Sequence, residues 1–228
     1  MAERPLLLVA AGGLAREATR AAASCGRVVL GCLDDDPDRH DTRLPDGTRV
    51  LGSIADAVRH PGADVLVCAG KGEVRRALVD RLRGLGVPDD RFATLVHPAA
   101  HLAPDTDLAP GVLVLAGVVA TSEVRLGAHV VCMPNVVLTH DDVVEPYATL
   151  CAGVVLGGGV TVGAGAYLGM GCSVREGVAV GQGAVVGMGS VVLHDVGPGE
   201  TWVGVPARRL PSTPADVSAG PQATTPSG

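Results

Sequence analysis

Rings are nearly absent from this chain. One Trp, two Tyr and one Phe stand among 228 residues, so the core must be filled by something other than aromatics, and stacking platforms for nucleic-acid bases are missing. A basic surplus is lacking too: the net charge is −6, which removes the phosphate-neutralising face that nucleic-acid binding requires. No apolar run approaches the 18 or so residues that cross a bilayer; Leu6 to Ala11 is typical. Met1 to Arg4 lead straight into a strand-like run, without the basic, apolar and small-residue order of a secretory signal, so a cytoplasmic location is expected. The six cysteines contain no CxxC pair and read as small buried hydrophobes in a reducing compartment, with no metal or disulfide framework.

What is present is glycine, 32 residues, and aliphatics within a hydrophobic fraction of 47%. Charged residues at 18% and a mean hydropathy of +0.34 place the chain among folded proteins. The charges divide it. Residues 1–95 carry 14 of the 18 basic and 14 of the 24 acidic groups, whereas residues 96–197 carry two arginines and eight acids. In the first part, Leu6 to Ala11 reads as a buried strand, Gly12-Gly13 as a turn and Leu14 to Ser24 as a helix. Arg27 to Leu33 and Ala63 to Ala69 read as further strands, and Glu73 to Gly84 as a second helix. Strands alternating with helices imply a small Rossmann-like parallel sheet over residues 1–95.

A repeat of six governs the second part. Every sixth residue from Val96 to Val192 is aliphatic or small, fifteen of seventeen being Leu or Val, and the residue four further on is Ala, Val, Thr, Ser or Cys except at Asp142. One aliphatic and one small inward residue per six is the pattern of a parallel β-helix, three units to a coil. About 5.7 coils over residues 96–197, stacked at about 4.8 Å, make a prism roughly 27 Å long, the body of a β-helix domain spanning residues 96–210. The narrow interior explains the shortage of rings. Residues 211–228, rich in Pro, Ser, Thr, Ala and Gly, read as a disordered tail.

His140 falls two places after the inward Leu138, at a corner where side chains point outward. Imidazole suits a general base at neutral pH, and the adjacent Asp141 can orient it and stabilise its protonated form. One coil of eighteen residues on, Gly158 occupies the same corner, where a backbone N–H could hold a developing oxyanion. The same arithmetic stacks Ala152, Met170 and Met188 at a neighbouring corner. Gly12, Gly13 and Leu14 open the first helix, where N–H groups can face a phosphate. Asp34 and Asp35, ending the second strand, can accept hydrogen bonds from a ribose or a base. Asp142 occupies an inward slot, where a carboxylate is costly unless paired, and is expected either to bond locally or to help His140.

The repeat, the preceding β-α unit, His140-Asp141 and Val203-Gly204-Val205-Pro206-Ala207-Arg208 together resemble the hexapeptide-repeat sugar acyltransferases, more narrowly the sialic acid O-acetyltransferases and nucleotide-amino-sugar N-acetyltransferases. The resemblance spans about residues 5–210. It implies a left-handed β-helix homotrimer that binds no resident cofactor, with acyl-CoA, acetyl-CoA in the first instance, as co-substrate between neighbouring prisms, and a sugar or sugar nucleotide held partly by the N-terminal unit. His140, Asp141 and Gly158 fall on its catalytic positions, Gly12, Gly13, Leu14, Asp34 and Asp35 on its sugar-nucleotide contacts, and Thr149, Met170, Met188 and Arg208 on its CoA contacts. Leu14, Asp142 and Thr149 depart from the family pattern, which has His at the first and third positions and a small residue or Cys at the second. Two readings compete: a β-helical carbonic anhydrase, which needs three histidines converging on zinc, and a β-helical binding or assembly module without catalysis.

Overall fold

The computed structural model of this chain describes residues 4–211; the tail read above as disordered therefore lies, Pro211 apart, outside the described residues. Strands β1 (Leu6–Val9), β2 (Val29–Leu33) and β3 (Asp64–Val67) form one parallel sheet in the order β2-β1-β3. Central β1 is buried on both faces. Leu6 and Leu8 join the core under α1 (Gly13–Ser24), whose Leu14, Ala15, Ala18, Ala21 and Ala22 lie on one stripe. Leu7 and Val9 join the core under α2 (Gly72–Gly84) with Val79 and Leu82. The strands are shorter than their apolar runs. The first leaves the sheet at Ala10, a non-glycine residue at φ 74°, where an L side chain crowds the backbone.

From Leu95–Val96 to Val191–Val192 a two-residue strand recurs every six residues. Up to Ser173–Val174 each pairs eighteen residues on, as Val131 with Thr149, Val137 with Val155 and Val143 with Thr161. The coils stack into three faces, sheets of eight, six and five strands, and wind left-handedly. The second residue of each strand is the aliphatic of the six-residue frame, and it points into a continuous core with the small residue four places on. A hairpin, Thr201–Gly204 with Ala207–Arg209, lays Trp202 against the end of that core.

Two glycine slots serve different needs. Directly after the aliphatic, Gly157, Gly163 and Gly169 lie so close to the next coil that a β-carbon would stand 2.5–2.6 Å from a backbone nitrogen. Two residues later the corner needs a left-handed backbone, supplied by Gly159, Gly165 and Gly171 at φ 66–70°. Five consecutive corners fill that second slot with side chains instead, Glu123, His129, Asn135, Asp141 and Tyr147, at φ 53–65°. Left-handed non-glycine residues cost on the order of 1 kcal/mol each, least for Asn and Asp; Glu123 and Asp141 lie on the edge that carries His140, and the other three on the two remaining edges.

The N-terminal unit sits on the eight-stranded face. Leu95, Leu113 and Val131, outward-pointing on that face, belong to the same core as β1 and α1. Arg75 of α2 is fully buried there. Its guanidinium donates to the carbonyls of His129 (2.7 Å), Ala69 (2.6 Å), Tyr147 (2.8 Å) and Ala148 (3.0 Å), and to Thr149 Oγ1 (3.1 Å). Burial lowers its pKa to about 10, so it stays charged at neutral pH and latches the helix to the coils.

Candidate active site

His140 and Asp141 are the two central residues of the turn that joins the six-stranded to the five-stranded face. The left-handed backbone at Asp141, φ 64°, swings its carboxylate back, and Oδ2 lies 2.7 Å from His140 Nδ1. Both side chains are more than half exposed, at 68% and 57%. That hydrogen bond raises the His140 pKa above its ordinary value and lowers that of Asp141. With Nδ1 held, Nε2 is left to take a proton from an incoming group.

Gly158 lies one coil on, as the eighteen-residue spacing requires. A β-carbon there would overlap His140 Nε2 and Cε1 and come 3.0 Å from Cδ2, so the ring occupies the space a side chain would fill. Gly158 has an ordinary backbone conformation and is glycine for this approach. Asp142 is fully buried. It accepts the N–H of Thr139 within its own turn (2.8 Å) and, beyond the local bonding expected, that of Val160 on the next coil (2.9 Å). Burial pushes its pKa up to about 6 against the effect of these two donors.

The other positions separate into groups. Gly12, Gly13, Leu14 and Asp34 line a crevice of about 550 Å³ at the carboxyl ends of the strands, with Arg39 and Met133 on its walls. Asp34 shapes the loop, accepting the N–H of Ala11 (2.8 Å) and of Asp36 (3.0 Å). Asp35 does not line this crevice; it pairs with Arg81 and accepts the Ile54 N–H at 3.2 Å. Through Gly70 and Met133 the crevice adjoins a cavity of about 960 Å³ beneath the start of α2, lined by Lys71, Arg76 and Tyr167 among others.

Met170 and Met188 are exposed, at 53% and 72%, on the edge between the eight- and six-stranded faces. Arg208 is exposed beside Ala207, whose carbonyl it meets at 2.9 Å. Thr149 differs from expectation. It is fully buried, its hydroxyl donating to Gly70 O at 2.8 Å and accepting from Arg75, and so presents nothing at the surface to a CoA. The outward position it holds on the eight-stranded face is covered by the N-terminal unit.

Several other titratable groups of the coils are buried. His129 is buried and stacked on Tyr147, ring centroids 5.2 Å apart, and burial lowers its pKa to about 4. Burial pushes the Cys132 and Cys172 thiols up to about 12, leaving no thiolate nucleophile there at neutral pH. Among the described residues no three His, Cys, Asp or Glu side chains converge as metal ligands, and no helix is long and apolar enough to cross a membrane. Arg75 escaped the sequence reading, although an arginine in register with Val79 and Leu82, at i, i+4 and i+7 on an apolar stripe, was its available signal.

No family model matches the chain, and no curated protein does. Solved structures do. A histidine-to-asparagine variant of perosamine N-acetyltransferase from Caulobacter crescentus, in complex with CoA and GDP-perosamine, is 28% identical over 92% of this chain and 99% of that one, with a TM-score of 0.85. Another structure of the protein, PerB with the same ligands, is 29% identical over the same shares, with a TM-score of 0.83. The acetyltransferase domain of PglB from Neisseria gonorrhoeae, in complex with acetyl coenzyme A, is 25% identical over 92% of this chain and 100% of that one, with a TM-score of 0.82. Repeat, fold and likeness converge: the chain is an acyltransferase built on the hexapeptide-repeat plan of the sugar N-acetyltransferases.

Proposed function

We propose that this protein transfers an acyl group, acetyl in the first instance, from acyl-CoA to an amino or hydroxyl group of a nucleotide-linked sugar, with His140 as general base. The observation that carries the reading is the His140–Asp141 pair seated on Gly158. His140 Nε2 removes a proton from the acceptor as its nitrogen or oxygen attacks the thioester carbonyl. Asp141 holds Nδ1–H and stabilises the imidazolium. The Gly158 N–H faces the oxyanion, the C–S bond then breaks, and the proton passes to the departing CoA thiolate. Likeness to proteins solved with CoA and GDP-perosamine supports both substrate classes. No resident cofactor is needed.

The reading requires more than one copy. The N-terminal unit and its crevice sit on the eight-stranded face, whereas His140 lies on the edge between the other two faces, the edge opposite. Within one chain the apolar prism separates acceptor crevice from base. A homotrimer that brings the crevice of one copy to His140 of the next resolves this, and the six-stranded face suits such contact. Four of its six outward strand residues, Val119, Val137, Val155 and Val191, are apolar, and Met170 and Met188 flank it. In this assembly the two methionines and Arg208 line the CoA channel, and Gly12, Gly13, Leu14 and Asp34 hold the nucleotide. Thr149 and Asp35 act behind them as supports. The protein works in the cytoplasm, where the buried thiols of Cys32, Cys68, Cys132, Cys151 and Cys172 stay reduced.

The test is acetyl-CoA turnover, followed as thiol release, over a panel of UDP-, GDP- and CMP-linked amino and neutral sugars, comparing wild type with His140→Ala. One acceptor is expected to support turnover that falls at least about 100-fold in the variant. Equal turnover on that acceptor would overturn the assignment of the base, and sedimentation as a monomer that is fully active would overturn the assembly.

A further inference from the structure

We propose that Asp142 is a positioning residue that sets how His140 meets Gly158, an inference that rests on His140 being the base. The six-residue frame calls for a small apolar residue at this inward slot, as at Val136, Ala148, Val154 and Val160. A buried carboxylate stands there instead, and it rewires the coil.

Along the prism the residue after each inward aliphatic donates its N–H to the aliphatic carbonyl of the next coil. On the face that carries His140, Thr121 donates to Leu138, Gly157 to Val174 and Arg175 to Val192. Of the fourteen such positions from His97 to Arg175, thirteen make this bond and Thr139 does not. Its N–H goes to Asp142 Oδ2 at 2.8 Å, and the carbonyl of Leu156, which would have received it, takes the Thr139 hydroxyl at 3.2 Å. Strand pairing shrinks accordingly to Val137 with Val155, where neighbouring pairs on this face, such as Ser173 with Val191 and Val174 with Val192, hold two residues. The second carboxylate oxygen accepts the N–H of Val160 at 2.9 Å.

The two ends of this bridge decide its meaning. Thr139 immediately precedes His140, and Val160 follows Gly158 and Gly159. One carboxylate therefore ties the peptide that carries the imidazole to the peptide that cradles it, in place of the ladder bond used elsewhere. An apolar residue at the slot would return the Thr139 N–H to Leu156 and close the coils as in the rest of the prism. His140 would then meet Gly158 at a different height and angle. Asp142 touches neither the ring nor the space where substrates react, so it acts through the placement of His140.

The experiment is Asp142→Val, the residue most common at this slot, with His140→Ala alongside. The expected result is a folded variant melting at or above wild type, with kcat lowered roughly 10- to 100-fold and both KM values within about twofold. The titration of the His140 imidazole, followed by NMR, is expected to shift as well. A folded Asp142→Val with wild-type kcat, or a loss confined to KM, overturns the inference; if His140→Ala is inactive beside it, the base assignment survives alone. A His140→Ala that keeps wild-type turnover overturns both. Should the valine variant not fold, Asp142→Asn retains the shape and can accept only one of the two N–H groups. It is expected to give an intermediate loss of kcat, and an unchanged kcat there also overturns the inference.

Discussion

The imidazole of His140 rests where a side chain of Gly158 would be, one full coil away along the same edge. Gly158→Ala is compatible with its backbone, so the added methyl must be accommodated by the ring, an exposed side chain free to swing out. Stability is expected to change by less than about 1 kcal/mol while kcat falls roughly 100-fold. Gly159→Ala is the opposite case. Its φ of 70° is strained for alanine, yet nothing stands within 4 Å of the new methyl. It is expected to cost about 1 kcal/mol in stability and little in kcat. Thermal unfolding and steady-state kinetics on the two variants check the crossing, and parallel losses in both would remove the cradle.

The Asp141 carboxylate raises the His140 pKa through the 2.7 Å hydrogen bond to Nδ1. A base must be unprotonated to act, so kcat/KM is expected to rise with pH and level off above an inflection higher than the ordinary histidine value. Asp141→Asn keeps an acceptor but removes the charge, and the inflection is expected to move down toward about 6.5. The pair is more than half exposed, so solvent screens it and the plateau is expected to fall only about 10- to 100-fold. A pH–rate profile unmoved by the substitution would separate Asp141 from the base.

Asp142 makes stability depend on pH in an unusual direction for a carboxylate. Its folded-state pKa is raised to about 6 from an ordinary 3.8, burial being the main cause. A raised acid binds its proton more tightly when folded, so its contribution is fully present below about pH 4. It is lost as pH rises through about 6, by on the order of 3 kcal/mol. Asp142→Val removes this dependence. The melting temperature of the variant is therefore expected to gain on wild type between pH 4.5 and pH 8, and a difference that stays constant across that range would contradict the burial cost.

The coils were legible because one physical rule repeats. A narrow prism admits Val and Leu at one slot, so the frame from Val96 to Val192 reads off directly, and eighteen-residue steps then place Gly158 beside His140. What the sequence does not display is which outward face a second unit covers. Leu95, Leu113 and Val131 carry that information only once they are known to share a face, and Thr149, next in their column, looked like a surface residue for want of it. The left-handed corner slot was missed for a related reason. Its glycines are interrupted over five corners, from Glu123 to Tyr147, in the very stretch where the site lies. Asp142 was visible as an exception to the repeat, but its exchange of a ladder bond depends on the coil above and could be seen only in three dimensions.

Arg75 holds the two halves of the molecule together by filling carbonyls, not by pairing with an acid. Its guanidinium reaches Ala69 on the N-terminal side and His129, Tyr147 and Ala148 on the coils. Arg75→Met keeps the apolar stem but takes the donor from those buried carbonyls, a loss of about 3–5 kcal/mol. Arg75→Lys keeps the charge, yet a single ammonium cannot span both sides of the junction, so most of the loss is expected to remain. The damage should be uneven. Trp202, the sole tryptophan, packs against the far end of the coils, whereas both α-helices lie in the N-terminal unit. In urea, the helical circular dichroism of Arg75→Met is expected to be lost well before the Trp202 fluorescence changes, while wild type loses the two together. Coincident transitions in the variant, at an unchanged midpoint, would show that packing at Leu95, Leu113 and Val131 joins the units without this latch.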